Sequence, residues 1–207
     1  MVFEIREIND RKLNQAYEDS MNELNSFFEL NWKHNRPNLI IVPNRKTIDS
    51  LRGERTDGWL TGWASNKDIY LLCPENFEKE SSHKYSDESY FALLKHELAH
   101  HFSRIISRFT QKPVWLFEGV SMFLSGQNKQ GSKPERLKKF IGFYDKYGKE
   151  MYQESGFAVE FLVEKYGKEK LIEMLKRSKE ADSDENFARL FKSIYGFELT
   201  YEKFKVL

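Results

Sequence analysis

The sequence H-E-L-A-H at residues 96–100 constrains this chain more than any other feature. In a helix, residues four apart lie on the same face, so His96 and His100 would present two imidazole groups one turn apart. Glu97 would lie about 100° around the helix, where its carboxylate can exchange a proton with a bound water. Imidazole nitrogens and a carboxylate oxygen are typical ligands of catalytic zinc, which keeps a further position for that water. The spacing therefore predicts metal-assisted hydrolysis.

The residues around the pentapeptide have the periodicity of a helix. Asp87 is a candidate N-cap, because a short acidic side chain accepts hydrogen bonds from the free amides of the first turn. A helix over residues 87–107 is predicted from apolar residues that recur at three- and four-residue steps, namely Phe91, Leu94, Leu98 and Ile105. A helix whose histidines only fill a core is the alternative, but it does not explain the two nearby glutamates.

The second of these glutamates, Glu118, follows His100 by eighteen residues. It lies in a strongly apolar segment, residues 114–124, which is predicted to be a helix. A buried, unpaired carboxylate is unfavourable, whereas one that binds a metal ion is compensated. We therefore predict that His96, His100 and Glu118 bind one Zn²⁺ ion and that Glu97 is the general base.

Two segments, H-E-L-A-H at 96–100 and P-V-W-L-F-E-G at 113–119, resemble the gluzincin metallopeptidases. The similarity is greatest to small peptidase MA-like domains with H-E-L-x-H followed by P-x-W-L-x-E-G. It implies a zincin-like fold over residues 58–175, with the same ligands and base. It also implies a tyrosine near the start of a following helix that stabilises the oxyanion, for which Tyr152 is the candidate. The chain contains ten tyrosines, so spacing alone does not identify the one near the metal.

One position departs from the thermolysin-like members of that group. They have an acidic residue four positions after the ligand glutamate, which orients a ligand histidine, and this chain has Met122 there. The partner of His96 or His100 is therefore expected from another segment or from a backbone carbonyl.

The remaining segments predict a single α+β domain. Helices are predicted over residues 10–34 and 87–125. A mainly helical C-terminal part is predicted over 134–207, with helices over 134–147, 151–166, 168–179 and 184–195. A small, mostly antiparallel sheet within 37–80 would pack on the helix that carries residues 96–100. The four predicted parts are an N-terminal helix (1–36), the sheet (37–80), the zinc-site helices (87–125) and the helical part (134–207).

Two strands, Gly58 to Ala64 and Asp68 to Cys73, are predicted to form a hairpin. By the resemblance, the first is the candidate edge strand that pairs with an extended substrate. Glycines at a bulge or a barrel-like bend are the alternative interpretation of this segment. Residues 74–86 are predicted to be a loop. This loop is expected to lie over or near the site. His83 in it is interpreted as a surface residue, with a mobile hydrogen-bond donor to the oxyanion as the alternative. His101 is excluded from the site because it points away from His96 and His100.

The net charge and the hydropathy of the chain limit the kinds of partner and compartment that are expected. Thirty-three basic and 32 acidic residues give a net charge of +1, which argues against a nucleic-acid binder with a strongly basic face. No apolar run reaches the roughly 18 residues of a membrane span. The start of the chain, residues 1–7, lacks the apolar core of a signal peptide. The expected compartment is the cytoplasm, and the lone Cys73 is expected to be a buried thiol.

The predicted function is cleavage of peptide bonds in a peptide or protein substrate. A non-catalytic domain with the same fold, which uses its cleft to bind a peptide or partner protein, is the alternative. An amide hydrolase that acts on non-peptide substrates would have the same fold and metal. The sequence gives no oligomeric state.

Overall fold

The computed structural model describes residues 7–206, and these form an α+β fold with one three-stranded sheet. The interpretation of the N-terminal segment rests on residues that lie almost entirely outside this range. The helices are α1 (Arg11–Phe28), α2 (Arg45–Arg52), α3 (Pro74–Glu80), α4 (Asp87–Ile106), α5 (Val114–Ser125), α6 (Met151–Tyr166), α7 (Lys168–Arg177) and α8 (Asp184–Tyr195), and the strands are β1 (Asn38–Val42), β2 (Gly62–Ala64) and β3 (Asp68–Leu72). None of the helices within 7–206 is both long and apolar enough to span a membrane.

The sheet is mixed, so the prediction of a mostly antiparallel sheet is wrong. Strand β3 lies in the centre, antiparallel to β2 and parallel to β1. It is the most buried strand, with Ile69, Leu71 and Leu72 fully inaccessible to solvent. Strand β3 lies between the two earlier strands. Its edge opposite β2 pairs with β1, and these two strands run in the same direction. The predicted hairpin is confirmed, although its first strand is limited to residues 62–64.

The edge strand β2 packs closely against β3 and α4. A Cβ atom on Gly62 would lie 2.6 Å from Leu71 Cδ2 and 3.4 Å from Leu93 Cδ2 of α4. Trp63 stacks on Tyr70 of β3 with ring centroids 4.6 Å apart. The edge strand β2 therefore lies beside the helix that carries His96 and His100.

Helix α4 begins one residue earlier than its predicted cap implied. Ser86, not Asp87, is the N-cap, and its hydroxyl accepts a hydrogen bond from the Ser89 amide at 3.1 Å. The predicted span is otherwise confirmed, and α4 contacts α1, α5 and the sheet. The helix is thus held on several sides, which fixes the direction of its polar face.

Two of the other helix predictions need correction. Helix α1 ends at Phe28, where Glu29 adopts a left-handed conformation, because Asn25 accepts the Trp32 amide (2.8 Å) and turns the chain back. Residues 74–80, predicted to be a loop, form α3 with Pro74 at its first position, where proline is tolerated.

The predicted helix over residues 134–147 is absent apart from a 3-10 turn at Phe140–Gly142. The Glu154 carboxylate accepts the backbone amides of Lys138 and Lys139 at 2.8 and 2.6 Å. These amides are then unavailable for helical hydrogen bonds, so a contact from α6 overrides the local pattern.

Candidate metal centre

Helix α4 places His96 and His100 side by side. Their Nε2 atoms lie 3.1 Å apart, and their ring centroids are separated by 4.8 Å. His96 is buried and His100 is partly buried. The predicted helical arrangement of the two imidazoles is confirmed.

Glu118 reaches the same point from α5. Its Oε2 atom lies 3.4 Å from His96 Nε2 and 3.4 Å from His100 Nε2. Nearly every side chain in the first two turns of α5 is buried, so the carboxylate is enclosed by the core and by the two rings. The three side chains together form a group that could hold a metal ion.

The electrostatics of this group favour a cation next to the carboxylate. Burial alone would raise the pKa of Glu118, but His100 and His96 beside it bring that pKa well below its ordinary value. Burial opposes protonation of His100, yet Glu118 and Glu97 raise the pKa of this imidazole above its usual range. The pocket thus stabilises an ionised carboxylate and a positive charge in contact.

Two buried atoms of the group make no hydrogen bond within residues 7–206. Glu118 Oε2 faces the two rings without a well-aligned donor, and His96 Nδ1 has no acceptor. A buried lone pair without a donor is unfavourable, and a metal ion would satisfy it. The expected partner for the outer nitrogen of His96 is therefore missing from the described segments.

Glu97 lies in the same cleft as the three candidate ligands. It is buried, with 6% of its surface exposed, and its charge contributes to the raised pKa of His100. Its carboxylate forms no hydrogen bond or ion pair with any other residue from 7 to 206. It is therefore available to accept a proton from a molecule in the cleft.

Tyr152, the predicted oxyanion donor, is half-buried and lines this cleft. Burial, together with the charges of Glu118 and Glu97, raises the pKa of its hydroxyl. The phenol therefore stays protonated and can donate a hydrogen bond. Trp59 lies against it, with ring centroids 6.3 Å apart.

The structure adds Tyr147 to the cleft. The sequence predicts this residue to be the end of a helix. Tyr147 is 60% exposed, and burial and Glu118 raise the pKa of its hydroxyl. His83, interpreted as a surface residue, also lines the cleft, with its Nε2 atom 2.9 Å from the Trp59 carbonyl oxygen. The sequence gives no indication of Tyr147 in the cleft, because its position depends on how the segment before α6 folds. For His83, its position in a loop expected near the site was the only indication.

His101 lies outside the cleft lining, as predicted. It is buried, and this burial lowers the pKa of its imidazole to about 4. The residue is thus a neutral part of the packing between α4 and the sheet rather than a candidate ligand.

The cleft has a volume of about 710 Å³ and extends well beyond the His–His–Glu group. Its walls include β2, the loop before α4, and Tyr147, Lys149 and Tyr152 at and before the start of α6. Four cationic side chains line it, namely Arg52, Lys84, Arg104 and Lys149. Of these, Arg104 could have been found from the sequence, because it lies four residues after His100 and therefore on the same helical face.

No protein-family model matches the chain, and neither a curated protein nor a solved structure matches it. The functional interpretation therefore rests on the site itself.

Proposed function

We propose that the protein is a zinc-dependent peptidase of the gluzincin type, built on a zincin-like fold. The observation that carries this proposal is the triangle of His96 Nε2, His100 Nε2 and Glu118 Oε2, with sides of 3.1, 3.4 and 3.4 Å. Glu97 lies beside this triangle in an open cleft. A triad of ligands with an adjacent free carboxylate is the minimal apparatus of metal-assisted hydrolysis.

The separations within the triangle support zinc. Zinc bonds of about 2.0–2.1 Å in tetrahedral geometry place neighbouring ligand atoms about 3.3 Å apart. Two imidazoles and one carboxylate are also a common donor set of catalytic zinc, and they leave a position for water or substrate. When bound, the metal would supply Lewis acidity that polarises a carbonyl group and acidifies water.

Glu97 is the proposed general base. Its carboxylate would accept a proton from the attacking water and then deliver it to the leaving nitrogen. The absence of a competing hydrogen-bond donor within residues 7–206 supports this role, because the proton acceptor is not already engaged.

Tyr152 is the proposed donor to the oxyanion. A neutral phenol in a half-buried position can hold the negative charge that develops on the attacked carbonyl oxygen. Tyr147 lies in the same cleft but is more exposed. Its hydroxyl is a second candidate donor to the oxyanion.

Two features of this cleft support a peptide as its occupant. The edge strand β2 lines it, and an edge strand can add an extended peptide through main-chain hydrogen bonds. The cleft volume, about 710 Å³, is also in the range of clefts that enclose most of a small organic ligand.

The test is metal analysis followed by digestion of a broad peptide library. We expect close to one zinc per chain in the purified protein, and cleavage that stops on chelation and returns when zinc is restored. Zinc without cleavage of any peptide would contradict the enzymatic proposal. Absence of bound metal after supplementation would contradict the site itself.

A second candidate is a non-catalytic domain that keeps this fold and metal and binds a peptide in the cleft. His96 Nδ1 has no hydrogen-bond partner among residues 7–206. This favours the non-catalytic domain, because a hydrogen-bond partner on the second nitrogen normally orients a ligand histidine and tunes the metal. Peptide binding without turnover in the library experiment would select this alternative.

A further inference from the structure

Arg104 lies one helical turn beyond His100 and lines the same cleft. Its guanidinium donates one hydrogen bond, from Nη1 to the Ser65 carbonyl oxygen at 3.1 Å. Ser65 follows directly after β2, so the arginine lies at the C-terminal end of the edge strand. This position is on the cleft wall, beside the edge strand that we propose pairs with the substrate.

The guanidinium of Arg104 is incompletely satisfied. Its Nε atom is buried and forms no hydrogen bond, and the side chain has no ion pair with any carboxylate within residues 7–206. An arginine carries five N–H donors in a planar fork that matches a carboxylate. A partly buried cation without an anion is unfavourable, so the site as folded lacks an anionic partner.

A second guanidinium lies near the same end of β2. Arg52 is positioned over the ring of Trp63, 5.9 Å from its centroid. Its acidic neighbour within the described chain is Glu54, at 4.0 Å and on the exposed surface, where an ion pair contributes little. Arg52 is therefore available to an anion in the cleft.

Tyr147 lines the same cleft as the two arginines and the two glutamates. Burial raises the pKa of its hydroxyl, the carboxylates of Glu118 and Glu97 add to this effect, and Arg104 and Arg52 oppose it. The two arginines and the two glutamates thus act on the same hydroxyl. The cationic end of the cleft is continuous with the candidate metal centre.

The charge of the cleft is locally one-sided. Lys84 and Lys149 join the two arginines on its walls, whereas its acidic residues, Glu97 and Glu118, belong to the candidate metal centre. The whole chain has a net charge of only +1. The excess of cations is therefore a property of this surface rather than of the composition.

We propose that Arg104, assisted by Arg52, forms a carboxylate-binding subsite at the C-terminal end of β2, so that the cleft selects peptides with a carboxylate at this position. This inference rests on the proposed function, since it assigns a substrate class to the same cleft. The carboxylate comes either from an acidic side chain of the peptide or from its free C-terminus. The chemistry of recognition is the same in both cases.

The experiment measures binding by fluorescence anisotropy to the Glu97→Gln protein, so that turnover does not interfere. The probes are short, labelled, alanine-rich peptides in four forms. One has a free C-terminus, one has a C-terminal amide, and two amidated forms carry glutamate or glutamine at a single internal position. The first pair tests the chain terminus and the second pair tests the side chain.

In at least one pair, we expect the carboxylate peptide to bind about ten-fold more tightly than its neutral counterpart. The additional change Arg104→Gln should remove this preference and leave binding of the neutral peptide within about two-fold. Arg104→Lys keeps the charge but loses the fork and should retain only part of the preference. Arg108→Gln, at an exposed position just beyond the end of α4, is the matched control for loss of one positive charge.

Equal binding of both members in both pairs would overturn the inference, as would equal weakening of all four peptides by Arg104→Gln. Zinc content and thermal melting establish that each variant is folded. If Arg104→Gln does not fold, the comparison is made with Arg104→Lys. Because binding is measured without turnover, a carboxylate preference in a protein that cleaves nothing refutes the peptidase proposal alone. Cleavage by the wild-type chain without that preference refutes the subsite alone.

Discussion

A Cβ atom on Gly119 would lie 2.5 Å from the carbonyl oxygen of Ser155, so helices α5 and α6 meet through their backbones. Gly119 directly follows Glu118. This close contact fixes the rotation of α5 about its axis, and with it the direction of the candidate ligand. The tight helix pair is therefore as much a part of the site as the ligand itself.

Gly119→Ala should destabilise the fold and displace Glu118. The added methyl group would meet backbone, which cannot rotate away, and such overpacking typically costs about 1–3 kcal/mol. Chemical denaturation gives the free energy of unfolding, and metal analysis reports on the site. Gly142→Ala is the control, because a Cβ atom there would meet nothing within 4 Å. Equal effects of the two substitutions would contradict the proposed role of the helix contact.

Glu118→Gln should greatly weaken metal binding. The amide keeps the size of the side chain but loses the negative charge. Even residues that only hydrogen-bond to a metal ligand contribute about 10–100-fold to metal affinity. We expect a loss larger than about 100-fold, measured by competition with a coloured zinc chelator. Glu160→Gln changes another buried glutamate, one that pairs with Lys129 at 2.5 Å, and should leave zinc affinity unchanged. If both variants bind zinc like the wild type, Glu118 is not a ligand.

Glu97→Gln should keep the metal and lose turnover. The amide cannot accept the proton of the attacking water, and general-base catalysis contributes about 10²–10⁴-fold to the rate. The measurement is kcat on a cleaved library peptide, with zinc content determined on the same sample. His100→Ala is the complementary change, and it should lose the metal itself. A Glu97→Gln protein with wild-type kcat would rule out this residue as the base.

Tyr152→Phe should lower kcat with little change in KM. Loss of a single donor to an oxyanion typically slows the reaction by about 10²–10³-fold, and the phenyl ring preserves the contact with Trp59. Tyr147→Phe, at the more exposed phenol of the same cleft, should have a smaller effect. A larger effect at Tyr147 would transfer the oxyanion role to that residue.

Much of the helical framework could be predicted from the sequence. The spans of α4, α5, α6 and α8 agree with the predictions to within about a residue at most ends. Their apolar periodicity and their capping residues are local properties of the chain. The same locality explains why His96 and His100 could be placed on one face before any coordinates were known.

Residues 134–147 show where local patterning fails. Their amphipathic pattern predicts a helix, but Glu154 of α6 accepts the amides of Lys138 and Lys139 instead. Tyr147 lines the cleft because this segment is not helical. No pattern within the segment could reveal a carboxylate fifteen residues further along the chain.

The sequence by itself determined the positions of the candidate ligands and base, because helix geometry fixes which residues share a face. The tertiary structure alone decided the central place of β3, the rotation of α5 that directs Glu118 at the two imidazoles, and the position of the Arg104 guanidinium on the cleft wall, where it has no carboxylate partner within residues 7–206. These features depend on contacts between residues far apart in the chain, whose free energy is set by packing and burial in the folded state.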